Sequence, residues 1–444
     1  MKPLKYLLAI HLLFLLPIQG YTQALDLLEA YELAQQNDAD IHAAYNQLLA
    51  SKEARPQALA DLLPSINLSA KTKDVRQEKG NSFSGAGKST GQFRDESFSV
   101  SLRQPLFNLA SFVRYSQANQ LVSRAEAEYR LAEQTLILRL TERYLEDLQA
   151  EVNLNLADDD VKAFSRQLEQ VKIRFEVGLI AITDVHNAQA RHDLSVATQI
   201  AAQDNLYSKQ EALREIIQIN EMVLTPLAQK FPLTPPEPND IKEWESSAAK
   251  RNLSLIMARH DVAIAKKEIT INQSGHFPTV DIVASHEYSE TGGGSFNTGF
   301  RNESDNIGLE LNWSLFAGGK TLSLTKEAAY NHKKSLDTLQ SLQRTTLRET
   351  RDAFRGVTTS LRRIQALEQA IISNKSSLDA SEAGVDVGTR TIVDVLDAQS
   401  NLSRAKLQLI EAKKNYILNV LTLKGSAGSL AREDIEKIDQ YLQH

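Results

Sequence analysis

Apolar residues change their spacing twice along the chain. In "SFSVSLRQPLF", residues 97–107, Phe98, Val100 and Leu102 alternate with Ser97, Ser99, Ser101 and Arg103. In "NIGLELNWSLF", residues 306–316, Ile307, Leu309, Leu311, Trp313 and Leu315 alternate with Gly308, Glu310, Asn312 and Ser314. A period of two over about ten residues predicts the pattern of a membrane barrel strand, apolar toward lipid and polar toward water. "INLSAK" from Ile66 and "TVDIVASHEY" from Thr279 read the same way, so strands are expected over about 65–107 and 279–316. Gly/Ser-rich segments, roughly 80–93 and 292–304, read as exposed loops between them.

After each pair of strands the period lengthens. Leu154, Val161, Leu168 and Phe175 lie seven apart, as do Ala157, Phe164 and Val171, and the two series interleave at three and four. That is a coiled-coil seam. Ile364, Ile371, Leu378 and Val385 repeat it, and Val395, Leu402, Leu409, Tyr416 and Leu423 continue it. The stretches 109–177 and 320–383 hold only Gly356 as an internal breaker. Sixty-odd helical residues make a rod on the order of 100 Å long.

The two halves are related. "VGLIAITDVHNAQ" at 177–189 returns as "VGTRTIVDVLDAQ" at 387–399, an offset of 210 residues. Each half therefore reads as helix, strand, loop, strand, long helix, tip and return helix. Pro226, Pro232, Pro235, Pro236 and Pro238 mark the junction. The expected organisation is a first repeat over 25–225 with its tip at 178–184, a linker over 226–245, and a second repeat over 246–425 with its tip at 388–394. A short segment, 426–444, closes the chain.

An ordinary soluble sheet would also alternate, but the repeat argues against one. If the strands meet lipid, four per chain cannot close a barrel, and an open edge in lipid costs several kcal/mol for each unpaired backbone group. Several chains must then share one barrel, and three supply twelve strands, an even number. The expected class is mixed and mainly α: a homotrimeric barrel continuous with a long helical coiled-coil barrel.

Composition narrows the picture. The formal charge of −6 carries no basic stripe, which argues against nucleic acid. With no cysteine, disulfides, thiolate metal sites and a lipid-anchored N-terminal cysteine are excluded. "MKPLKYLLAIHLLFLLPIQGYTQA", residues 1–24, has a basic start, an apolar run and a small-residue end, and reads as a secretory signal peptide.

Little in the chain suggests chemistry. "SGAGKST", 84–90, has Ser82 where a phosphate-binding loop needs glycine, and "GKSTG" lacks the strand–turn–helix setting of a nucleophile elbow. The nine histidines are scattered, so no metal site, cofactor or active site is expected. The tips carry more. Thr391-Ile-Val-Asp394 fits a helix capping box, which gives Asp394 a structural reading. Asp397, one turn on, is not explained by capping, and Asn187 stands at its place in the first repeat. In a symmetric trimer the second tip would set six carboxylates around one axis.

At these residues the chain resembles the TolC-type outer-membrane efflux proteins, the outer membrane factor family. The likeness extends through "AAKRNLSLIMARHD" and "GHFPTVDIVAS" to essentially the whole mature chain. It implies a homotrimer in the outer membrane of a Gram-negative bacterium, with a helical barrel reaching through the periplasm. Around the middle of that barrel it implies an equatorial belt of mixed structure, formed by about 225–245 and the C-terminal segment 426–444. It also implies a duct without chemistry of its own. Such a duct docks to a periplasmic adaptor and to an inner-membrane pump or type I secretion ABC transporter. Carried over by position, the resemblance makes Asp394 and Asp397 selectivity rings, and makes Arg390, Thr183 and Asp184 ties that hold the tips shut. Gln167 and Glu382 become an outer link between protomers, and the tips around Gly178, Leu179, Gly388 and Thr389 the adaptor contact. A gate tyrosine of the family falls on Val385, which cannot donate a hydrogen bond.

Two other classes compete. A secreted trimeric coiled-coil adhesin would carry one terminal barrel, and a periplasmic adaptor would carry one hairpin flanked by a small β domain. Neither predicts strands and coils alternating twice.

Overall fold

The alternating segments form one antiparallel sheet in the computed structural model, which describes residues 24–79, 89–220, 222–228, 232–293 and 299–442. The expected leader and most of "SGAGKST" lie outside the described residues. Strands β1 (Ser65–Lys79), β2 (Ser89–Phe107), β3 (Thr279–Thr291) and β4 (Phe300–Asn312) lie in the order β1-β2-β3-β4. Leu68 faces Val100, Leu102 faces Ala284, and Ala284 faces Ile307, so the apolar positions of all four strands share one face. That face is bare: Ile66, Leu68, Leu309 and Ile307 are 68% to 83% exposed. The opposite face is polar. There Arg103 pairs with Asp281 at 2.6 Å and Glu310 at 2.8 Å, tying three strands together.

Two boundaries differ from the pattern. The hairpins reach further into the Gly/Ser-rich segments than composition suggests, with β2 starting at Ser89 and β4 at Phe300. Backbone pairing such as Thr90 with Glu78 continues beyond the apolar band, where polar and small residues on both faces no longer reveal a strand. At the other end β4 stops at Asn312, although the alternation runs to Leu315. Trp313, Leu315 and Phe316 stay exposed at the base of the sheet, so their pattern reflects shared surroundings and not strand pairing. Gly318 and Gly319, both at positive φ, then turn the chain toward a helix.

Three short helices precede the sheet: α1 (Leu27–Asn37), α2 (Ala39–Lys52) and α3 (Ala54–Ala60). From β2 the chain enters α4 (Leu109–Glu176), whose first turn is capped by Asn108. It returns as α5 (Ile182–Ile217). Then α6 (Ile241–Arg251) and α7 (Leu253–Gln273) lead back to β3. From β4 the chain enters α8 (Lys320–Asp386), returns as α9 (Ile392–Ser426), and ends with α10 (Arg432–Asp439). At 68 and 67 residues, α4 and α8 are each ~100 Å long. Near the sheet α7 packs against both, and toward the tips each pairs with its own return helix.

The main core lies between these regions, where α1, α4, α5, α8, α9 and α10 bring together Leu140, Leu213, Ile217, Val357, Leu421 and Ile435. The chain ends and the linker strap it. Leu25 bridges to Leu224 and Leu227 to Leu442. The buried Tyr144 hydroxyl lies 2.9 Å from the Leu25 carbonyl and 3.0 Å from that of Thr225, and Tyr416 donates to the Thr234 carbonyl at 2.9 Å. Toward the tips the core thins to two small clusters, Leu168–Val171–Ala188 and Leu378–Val395–Ala398–Leu402.

Candidate functional site: the paired helical tips

Both tips are built on one backbone device. At the end of α4, Gly178 takes φ +75°, and the N–H of Leu179 reaches the Arg174 carbonyl at 2.9 Å. At the end of α8, Gly388 takes φ +76°, and the N–H of Thr389 reaches the Gly384 carbonyl at 2.8 Å. These are Schellman closures, which need a left-handed residue just past the helix and favour glycine there. The repeated Val-Gly is thus a chain reversal used twice. Val177, Leu179 and Val387 project from the reversals and are 66% to 74% exposed.

The return helices start differently. Thr391 caps α9 in a full box. Its hydroxyl accepts from the Asp394 N–H at 3.2 Å, and Asp394 Oδ2 accepts from the Thr391 N–H and hydroxyl, both at 2.8 Å. The Thr391 backbone and hydroxyl donors hold the Asp394 carboxyl below its usual 3.8, and Arg390 adds to the effect. In the first tip Ala181 stands at the cap and supplies no side-chain bond. The Asp184 carboxylate and Thr183 hydroxyl consequently have no side-chain hydrogen bond or ion pair among the described residues.

Arg390 lies across Gly384. A methyl group on Gly384 would sit 2.5 Å from Arg390 Cγ, so the arginine stem occupies the place of a side chain. The Gly384 carbonyl also accepts from the Thr389 N–H and hydroxyl and from the Arg390 N–H. The first repeat reverses the arrangement: Arg174 stands at the Gly384 position and Ile180 at that of Arg390. Arg390 Nη1 lies 4.0 Å from Asp394.

Asp397 meets a base from the other repeat. Arg191 Nη2, on α5, is 2.8 Å from Asp397 Oδ1 on α9. Deeper in, Asp160 of α4 accepts from Gln399 at 2.9 Å and Ser403 at 2.7 Å, both on α9. Gln167 and Glu382 line one cavity of about 370 Å³ between the hairpins, together with Val385, Arg166 and Arg174. Gln167 Oε1 is buried there with no hydrogen-bond partner among the described residues. Val385 packs beside Leu378, Val395 and Leu402 and brings no polar atom to the cavity.

Sequence reasoning missed Arg191 and Gly384. Both were detectable as departures from the repeat, since Asn401 and Arg174 stand at their equivalent positions. Among the described residues no cluster of acids and histidines could hold a metal ion.

The family model described as outer membrane efflux protein matches residues 30–217 and 244–429, one segment in each half. The chain belongs to the outer membrane efflux protein family. It is 35% identical over 420 residues to the outer membrane protein TolC of Vibrio cholerae, covering 94% of each chain. It is 30% identical to the alkaline protease secretion protein AprF of Pseudomonas aeruginosa, covering 96% of this chain and 89% of that one. The crystal structure of the Campylobacter jejuni CmeC outer membrane channel has the same fold. It superposes with a TM-score of 0.77 at 15% identity, over 94% of this chain and 90% of that one. As a member of this family the chain is an outer-membrane exit duct of a Gram-negative bacterium.

Proposed function

We propose that three copies of this chain close a twelve-stranded barrel in the outer membrane and a helical barrel below it. The observation that carries this is the pair of sheet edges. Among the described residues nothing pairs with the outer edge of β1 or of β4, yet both flank an exposed apolar band suited to lipid. Unpaired backbone groups in lipid cost several kcal/mol each, and edge pairing between neighbours removes that cost. The polar face, with Arg103, Asp281 and Glu310, then lines a water-filled lumen.

The duct passes cargo without transforming it, in tripartite efflux or type I secretion. The adaptor docks at Gly178, Leu179, Gly388 and Thr389, and an inner-membrane pump or ABC transporter loads the duct. The tips form its periplasmic gate. Arg390, seated on Gly384, reaches Asp184 or Thr183 of a neighbouring protomer, whose side chains have no partner among the described residues of their own chain. Charge-assisted bonds of this kind are stronger than neutral ones. Gln167 and Glu382 form an outer link between protomers, and Asp394 and Asp397 line the mouth and select cations.

The natural absence of cysteine makes a clean test possible. Cysteines at Ser69 on β1 and Asn306 on β4, both on the polar face, should be joined between chains by a short bismaleimide. Dimer and trimer bands from the outer-membrane fraction are expected. Monomer alone, with both cysteines labelled, would contradict a shared barrel.

A further inference from the structure

We infer that Arg191 is a specificity-determining residue of the gate: it latches the two hairpins of one protomer together and offsets the charge of Asp397 at the mouth. The inference rests on the reading of Asp397 as a pore acid.

The geometry joins helices that belong to different repeats. Arg191 lies on α5 and Asp397 on α9, both return helices that begin at a tip, and their charged atoms are 2.8 Å apart. The acid nearest Arg191 in sequence does not compete for it. Asp193 is engaged by Gln189 at 2.8 Å and His192 at 3.1 Å. The repeat sharpens the point. The first tip has Asn187 where the second has Asp397, and the second has Asn401 where the first has Arg191. Each repeat has one of the two charges and an uncharged asparagine in place of the other, and the fold brings the charged members together.

Two consequences follow. Separating the α4–α5 hairpin from the α8–α9 hairpin breaks this pair along with the Asp160 contacts to Gln399 and Ser403. The pair therefore contributes to closure inside one protomer, whereas Arg390 acts between protomers. In addition, a cation at the mouth meets Asp397 with a guanidinium against it. A cationic cargo or blocker is held less tightly than two bare carboxylates would hold it. Both side chains are about half exposed, so the pair is screened and serves tuning more than stability.

The test is single-channel recording of the reconstituted full-length protein, with hexamminecobalt added on the periplasmic side. Arg191→Gln should raise closed-state conductance. It should also lower the half-blocking hexamminecobalt concentration about fivefold, the scale of one screened unit charge near the bound cation. The charge swap Arg191→Asp with Asp397→Arg should restore wild-type closure while abolishing block, which separates the latch from the mouth charge. Wild-type conductance and block in Arg191→Gln, with block weakened in Asp397→Ala, would overturn the inference and leave the pore-acid reading standing. Unchanged block in both variants would overturn the two together.

Discussion

The two tips share a backbone and differ in what is attached to it. Each closes with a left-handed glycine and the same hydrogen bond back into the long helix. The first tip then starts its return helix without a side-chain cap at Ala181, and Asp184 and Thr183 have no side-chain partners among the described residues. The second spends Thr391 and Asp394 on each other in a capping box and seats an arginine over a glycine. Duplication supplied two reversals of equal geometry, and divergence capped one with Thr391 and left the other with Ala181 at the same place. The gate proposed between neighbouring protomers draws on that difference, with Arg390 as donor and Asp184 or Thr183 as acceptor, because two identical tips would present like groups to one another.

The largest effect is expected where the seat of the arginine is removed. Gly384→Ala places a methyl group on the Arg390 stem and should raise closed-state conductance nearly as much as Arg390→Ser, with the trimer intact on unheated gels. In the Arg390→Ser background the alanine should add almost nothing, because the two act as one unit. Additive effects would mean that Gly384 serves the helix and not the arginine.

A smaller effect should follow from making the tips alike. Ala181→Thr gives the first tip the sequence of a capping box with Asp184. It should slow hydrogen exchange in the first turn of α5 by about 0.5–1 kcal/mol in protection. Because the cap engages Asp184, conductance should also rise modestly. Slower exchange without any change in conductance would show that Asp184 is not the acceptor for Arg390.

The smallest effect concerns pH. The Asp394 carboxyl is held below 3.8 by Thr391, so its contribution to the α9 cap is complete above that value and is lost as pH falls through the depressed one. Exchange in the first turn of α9 should therefore stay protected down to about pH 4 and accelerate below it. In Thr391→Ala it should be fast at all pH values, a loss of about 0.5–2 kcal/mol.

Much of this architecture was legible in the residues. The change of apolar period from two to about three and a half marks where Phe107 leaves the sheet for α4, and the offset of 210 residues locates both reversals. The belt around Tyr144 and Tyr416 was expected from the family resemblance, and the spacing of residues alone did not reveal its contacts. It is assembled from the chain ends and the linker, whose contacts follow no period. The end of β4 was missed because Trp313 and Leu315 keep the strand pattern without strand bonds. At the tips Asp394 showed its capping role through Thr391, three residues away. The partner of Asp397 lay 206 residues away, beyond any local rule.

The central claim is that the second tip carries the charge that selects, and that its place in the fold matters as well as its number of acids. Block by periplasmic hexamminecobalt in Asp397→Asn, Asn187→Asp and the double variant tests this most directly. Asp397→Asn should lose most of the block, and moving the acid to position 187 should not restore it. Block recovered in the double variant would show that the two tips are electrically equivalent, and would contradict the division of labour described here.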